Sequence, residues 1–148
     1  MKALVIGGTG PTGPHIITGL LDRGYEVAML NRGSRDSEAI PAHVERIVGD
    51  PHFPDTLEEA LGERTFDVVV ATYGRIRYVA EVVSSRTDRL ITVGGPPSYR
   101  GFAQPAANFP PGMWVPTPET APRVESESES RFGHLIKVTE DAVMALSL

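Results

Sequence analysis

Seven residues near the start of the chain, Gly7-Gly8-Thr9-Gly10-Pro11-Thr12-Gly13, carry its strongest chemical signal. They satisfy G-x-G-x-x-G from Gly8 and G-x-x-G-x-x-G from Gly7, directly after a β-branched run and at the opening of a helical pattern. Such a loop needs one glycine for a tight turn, one to let a diphosphate reach the backbone, and one for close helix–sheet packing. Unpaired amides at the helix start, with the helix dipole behind them, then hold the anion. Gly7, Gly8, Thr9, Gly10, Thr12 and Gly13 are therefore candidate ligands of a dinucleotide. Pro11 removes one donor but suits a first helical turn, and Thr12 offers both an amide and a hydroxyl.

A second cluster, Asn31-Arg32-Gly33-Ser34-Arg35, follows the second β-rich run. A site for NAD places an acid there to grip the ribose 2′-hydroxyl. No carboxylate occupies this stretch, and the guanidiniums of Arg32 and Arg35 can embrace a 2′-phosphate. Asn31, Arg32 and Arg35 therefore point to NADP rather than NAD; the alternative is that the arginines are solvated loop charges. Asp50, in Val48-Gly49-Asp50-Pro51, either accepts from the exocyclic amine of adenine or caps the next turn, with Pro51 beside it. Ala71, Thr72 and Tyr73 close the fourth run, where small residues let a cofactor lie against the strand ends. Tyr73 either shields the ribose–nicotinamide half or simply packs.

Other chemistry is sparse. Cysteine is absent, which excludes disulfides, thiolate metal sites and a cysteine nucleophile. His15, His43, His52 and His134 lack metal-ligand spacing, so no metal is expected, and no nucleophile elbow surrounds any serine. Fourteen basic residues against nineteen acidic ones give a net charge of −5, the wrong sign for a non-specific nucleic-acid binder. No apolar run approaches the ~18 residues of a membrane span. The apolar start meets its glycine cluster too early for a secretory signal. A cytoplasmic location is the expectation.

The elements that must position these residues alternate along the chain. Runs at 1–6, 25–30, 44–48, 67–71 and 89–93 are short, nearly all apolar and bounded by Gly, Pro, Asn or Asp, as strands buried on both faces are. Helical patterns lie between them at 12–23, 55–61 and 75–85. The first carries Ile16, Ile17, Leu20 and Leu21 on one stripe and stops at Gly24. Right-handed crossovers then predict an α/β fold: a Rossmann-like, doubly wound parallel sheet of five strands in the order 3-2-1-4-5, with flanking helices.

At 148 residues and 41 % hydrophobic, the chain suits a single domain. Its expected parts are a dinucleotide-binding core over 1–95, a Pro-rich loop over 96–129, and a C-terminal helix over 130–148 packed on the same domain. Eight of the thirteen prolines fall in 96–122, a stretch with Phe109 and Trp114 that can propagate neither a helix nor a central strand. The Glu-Ser repeat at 125–130 reads as helix capping and dipole chemistry, with a phosphorylation tract as the alternative. In the last helix Phe132, Leu135, Ile136, Ala142, Val143 and Leu146 share one face.

Taken together, the glycine loop, Asn31-Arg32-Gly33, Gly49-Asp50, Asp67-Val68-Val69-Val70 and Leu90 to Val93 resemble the extended short-chain dehydrogenase/reductases, the NAD-dependent epimerase/dehydratase family. The resemblance implies binding of NADP or NAD and a nucleotide-sugar-like or carbonyl substrate. It also implies a Ser after the fifth strand and a Tyr-x-x-x-Lys pair on the next helix, Tyr as general acid/base and Lys lowering its pKa and holding the ribose. By that resemblance Lys137 is the candidate catalytic residue.

The other catalytic positions depart from the pattern. The fifth strand ends Val93-Gly94-Gly95-Pro96-Pro97, with Ser98 arriving late. Four residues before Lys137 stands Gly133, beside Phe132, whose ring has no proton to give. Lys137 also has Glu140 and Asp141 within one turn as ion-pair partners. The family's sixth strand and substrate-binding half are absent from these 148 residues. Three readings follow: an NADP-dependent oxidoreductase or epimerase that needs residues not present here, a catalytically degenerate dinucleotide sensor similar to the NmrA-like proteins, or a fragment. The fifth run, Leu90-Ile91-Thr92-Val93, lacks the charges that blunt a sheet edge, so a homo-oligomer is expected.

Overall fold

Five short parallel strands build a sheet in the order β3-β2-β1-β4-β5, as the alternating pattern predicts. They are β1 (Lys2–Ile6), β2 (Glu26–Asn31), β3 (Glu45–Val48), β4 (Val68–Ala71) and β5 (Leu90–Thr92). The structure is a computed structural model and describes residues 1–35, 37–107 and 111–146. Phe109, Ser147 and Leu148 therefore lie outside the described residues. Two compact units make up the chain, one of Met1–Val93 with Leu146 and one of Gly94–Ala145.

In the first unit, strand periodicity sorts the core into two layers. Ala3, Val5, Val27, Met29, Val68 and Val70 point to one face of the sheet, where Ile17 of α1 (Gly13–Leu21) covers them. Leu4, Ile6, Leu30, Val69 and Ala71 point to the other, under Leu57 and Leu61 of α2 (Pro54–Leu61) and Val79 and Val83 of α3 (Ile76–Val83). Successive strand residues face opposite ways, so one apolar run feeds both layers. Gly24, at φ +80°, ends α1 in the left-handed conformation that the helix-stop reading requires.

Burial on both faces holds for β1, β2 and β4 and fails at the edges. In β3 only Ile47 is buried, and in β5 Ile91 is half exposed. An edge strand has a neighbour on one side only, and the covering helices lie over the centre of the sheet.

The second unit holds more structure than its prolines suggest. A 3-10 turn at Pro96–Ser98 leads into α4 (Arg100–Ala103), a second 3-10 turn at Pro105–Ala107 and finally α5 (Arg131–Met144). Helix α4 occupies a proline-free gap in a stretch expected to form no helix. The Ser130 hydroxyl accepts from the Gly133 amide at 3.1 Å, the N-cap that the serine-acid run predicts. Phe132 and Leu135, on the apolar face shared along the last helix, are 64 % and 62 % exposed. The only buried residue of α5 is Gly133, because the helix approaches the Pro97 carbonyl so closely that a Cβ there would lie 2.3 Å from its oxygen. No helix among the described residues is long and apolar enough to cross a membrane.

Candidate functional site

The glycine loop leaves β1 at Ile6, and its four glycines do different work. Gly7 has φ +93°, and a Cβ on it would stand 2.4 Å from Cβ of Tyr73. A Cβ on Gly8 would strike Sδ of Met29 and Cδ1 of Ile17 at 2.7 and 2.8 Å, and one on Gly13 would sit 2.0 Å from the Gly8 carbonyl oxygen. These three positions are closed by packing. Gly10 is open, since its added Cβ meets only the Gly7 oxygen, at 3.8 Å.

Fewer amides are free here than the motif alone suggests. The Gly10 amide donates to Gly7 O at 3.4 Å and the Gly13 amide to Gly10 O at 3.1 Å, closing successive turns. Pro11 and Pro14 have none to offer. The amides of Thr9 and Thr12 have no backbone partner among the described residues, and the Thr12 hydroxyl, at the N-cap of α1, makes no capping bond.

A cavity of about 340 Å³ opens at the C-terminal ends of β1, β2 and β4. The loop contributes Gly7, Thr9, Gly10, Pro11 and Thr12. The end of β2 contributes Asn31, Arg32, Ser34 and Arg35, and the end of β4 contributes Thr72 and Tyr73. Most of the residues singled out from sequence thus converge on one space. Gly8, Gly13, Asp50, Pro51 and Ala71 do not line it, and Ala71 is fully buried in the core. Ser34 was missed, although a hydroxyl between two arginines was itself a legible signal.

Local hydrogen bonds explain how the sequence builds the rim. Asn31 Oδ1 accepts from the Gly33 amide at 2.9 Å and its Nδ2 donates to Arg35 O at 3.3 Å, wrapping the loop around Gly33 at φ +72°. Asn31 is therefore a loop builder that sets where both arginines stand. Thr72 Oγ1 donates to Ile6 O at 3.3 Å, tying β4 to the loop root. Pro51 is buried, and its carbonyl accepts from the Arg75 amide at 3.1 Å. Asp50 takes the capping geometry: its Oδ1 accepts from the His52 amide at 3.0 Å and meets His52 Nδ1 at 2.7 Å. Those hydrogen bonds hold its carboxyl below the usual range.

Tyr73 stands among these groups. The Arg32 guanidinium carbon lies 5.5 Å from its ring centroid, and the His52 ring meets it edge-on, with centroids 5.1 Å apart and planes at 85°. Arg32 and Arg35 are exposed and form no ion pair among the described residues.

Lys137 belongs to the second unit, where it is engaged structurally. Its Nζ lies 2.5 Å from Asp141, one helical turn on, the ion-pair alternative read from sequence. Arg123 joins the pair, 2.6 Å from Asp141 and 2.6 Å from Glu140. Ser98 is buried and donates to the Gly95 carbonyl at 3.1 Å. Hydrogen bonds from Lys137 first, and then from Arg123, hold the Asp141 carboxyl below its ordinary value. A depressed carboxylate pKa stabilises the fold above the unfolded-state value, near 4, and that contribution fades as pH falls through the folded value. A carboxyl chemical-shift titration is expected to place Asp141 below an ordinary aspartate, and Lys137→Met to move its midpoint upward. An unmoved midpoint would show the ion pair to be idle. Among the described residues no group of His, Asp and Glu is placed to hold a metal ion.

The sequence model of the NAD dependent epimerase/dehydratase family matches residues 3–90. Among curated proteins, UDP-glucose 4-epimerase of Corynebacterium glutamicum is 39 % identical over 71 residues, which is 47 % of this chain and 21 % of that protein. Among solved structures, the enzyme WbmG of Bordetella bronchiseptica in complex with NAD matches with a TM-score of 0.76 at 20 % identity, over 100 % of this chain and 50 % of that one. UDP-glucose 4-epimerase of Thermotoga maritima with UDP-glucose matches with a TM-score of 0.75 at 16 % identity, over 100 % of this chain and 53 % of that one. These structural likenesses speak for the fold. The chain spans about half the length of these solved structures.

Proposed function

The chain belongs to the NAD dependent epimerase/dehydratase family, and we propose that its Met1–Val93 unit binds NADP(H) in the cavity above β1, β2 and β4. The observation that carries this reading is the open flank of Gly10 in a loop whose other glycines are closed by packing. A diphosphate fits where no side chain stands, with the Thr9 and Thr12 amides as its donors. Arg32 and Arg35 then meet a 2′-phosphate, with no acid from 31 to 35 to repel it. In that arrangement the cofactor supplies hydride chemistry, and the substrate class is a nucleotide sugar or related carbonyl compound. Isothermal titration with NADPH and NADH tests the reading: NADPH is expected to bind more tightly, and binding of neither would sink it.

A second reading is favoured by the second unit. A Cβ at Gly133 already collides with the Pro97 carbonyl, so a tyrosine has no room there, and Lys137 is paired with Asp141. That arrangement suits a dinucleotide sensor without turnover. Steady conversion of a sugar nucleotide by this chain, lost in Lys137→Ala, would decide for the enzyme.

The edge position of β5, with Ile91 49 % exposed, supports association of copies through that strand. Light scattering at tens of micromolar is expected to give a multiple of 16.0 kDa, and a clean monomer would overturn it.

A further inference from the structure

Among the described residues lining the cavity, Arg32 is the one whose charged group lies over an aromatic ring. Its guanidinium lies 5.5 Å from the Tyr73 centroid and makes no ion pair among the described residues. A guanidinium held over an aromatic face by cation–π attraction keeps N–H donors available, so that contact and phosphate binding are compatible. Tyr73 in turn is held on several sides. Its Cβ sits against the backbone of Gly7, in space that any side chain at residue 7 would fill, and the edge-on His52 ring meets its ring at 5.1 Å. Asp50 fixes His52 by its amide at 3.0 Å and its Nδ1 at 2.7 Å. Residues from the ends of β2, β3 and β4 thus form one chain of contacts, Asp50 to His52 to Tyr73 to Arg32.

We propose that Tyr73 is a positioning residue that sets the preference for a 2′-phosphorylated dinucleotide by presenting Arg32. The inference rests on the reading of the cavity as a dinucleotide site. A free arginine loses rotational freedom about several bonds when it grips a phosphate, whereas one already held over a ring loses less. The aromatic ring is what matters, and the phenol hydroxyl is dispensable. His52 acts one step further out, through the ring it buttresses.

The probes are 2′,5′-ADP and 5′-AMP, which differ only in the 2′-phosphate, titrated calorimetrically into the full chain. Tyr73→Leu is expected to lower the preference for 2′,5′-ADP about fivefold, Tyr73→Phe to preserve it, and His52→Ala to lower it about twofold. In an Arg32→Ala background, Tyr73→Leu is expected to change the preference no further. Circular dichroism checks that each variant folds, and Tyr73→Phe with His52→Ala carries the test should the leucine variant misfold. A preference that survives Tyr73→Leu overturns the inference while leaving the site reading intact. An equal loss in the Arg32→Ala background also overturns it, because Tyr73 would then act on its own. Binding of neither probe by the unmodified chain removes the site reading and the inference together.

Discussion

Gly10→Val is expected to lower dinucleotide affinity on the order of a hundredfold while the chain still folds, whereas Gly13→Val is expected to destabilise the fold itself. The two glycines lie three residues apart in one motif, but their surroundings differ. An added Cβ at Gly10 meets only a carbonyl oxygen at 3.8 Å, so the backbone accepts it. The valine methyls then grow into the open space that a diphosphate needs. At Gly13 the same atom would lie 2.0 Å from the Gly8 oxygen and 2.3 Å from its carbonyl carbon, both backbone atoms. Relief requires α1 to move off the sheet, and overpacking of that kind costs about 1–3 kcal/mol or more. Calorimetric titration with NADPH measures the first effect, and urea unfolding followed by circular dichroism measures the second. Affinity within threefold of the unmodified chain in Gly10→Val would reduce the loop to a turn. Unchanged stability in Gly13→Val would mean that the loop repacks freely.

Arg32→Ala is expected to erase most of the preference for NADPH over NADH. Losing one charge-assisted contact to a phosphate costs about 1.5–3 kcal/mol, roughly a tenfold to hundredfold change in the ratio of affinities. Arg35→Ala acts in the same direction, and the double variant is expected to treat the two cofactors alike. Both arginines are exposed, so the preference should also weaken as ionic strength rises. In the proposed site the arginines meet the 2′-phosphate and the Gly10 flank meets the diphosphate, so the two predictions fail independently. An affinity ratio indifferent to both arginines would return them to the status of solvated loop charges.

Local sequence was enough for the scaffold. The parallel, doubly wound sheet followed from short apolar runs alternating with helical stripes, because a parallel crossover has one favoured hand and each layer reads its own period, and the strand pairing bears out the order expected for it. The glycine loop was legible because its meaning depends on neighbours in the chain, a strand before and a helix after. The Ser130 cap and the Lys137–Asp141 pair were legible for the same reason, since both partners lie within one helical turn.

Residues far apart in the chain decided the rest. Which glycine is closed by packing and which is open depends on Tyr73, Met29 and Ile17, brought there by strand pairing and by α1. The exposure of Phe132 and Leu135 depends on how α5 approaches the Pro97 carbonyl, 36 positions before Gly133. A helical stripe shows which residues share a face, but only the partner's position shows which face is covered. Tyr73, Arg32 and His52 stand at the ends of three different strands, and nothing in their spacing links them. Sheet register joins them, and register is a tertiary fact because it is set by the whole buried surface of the strands that carry them.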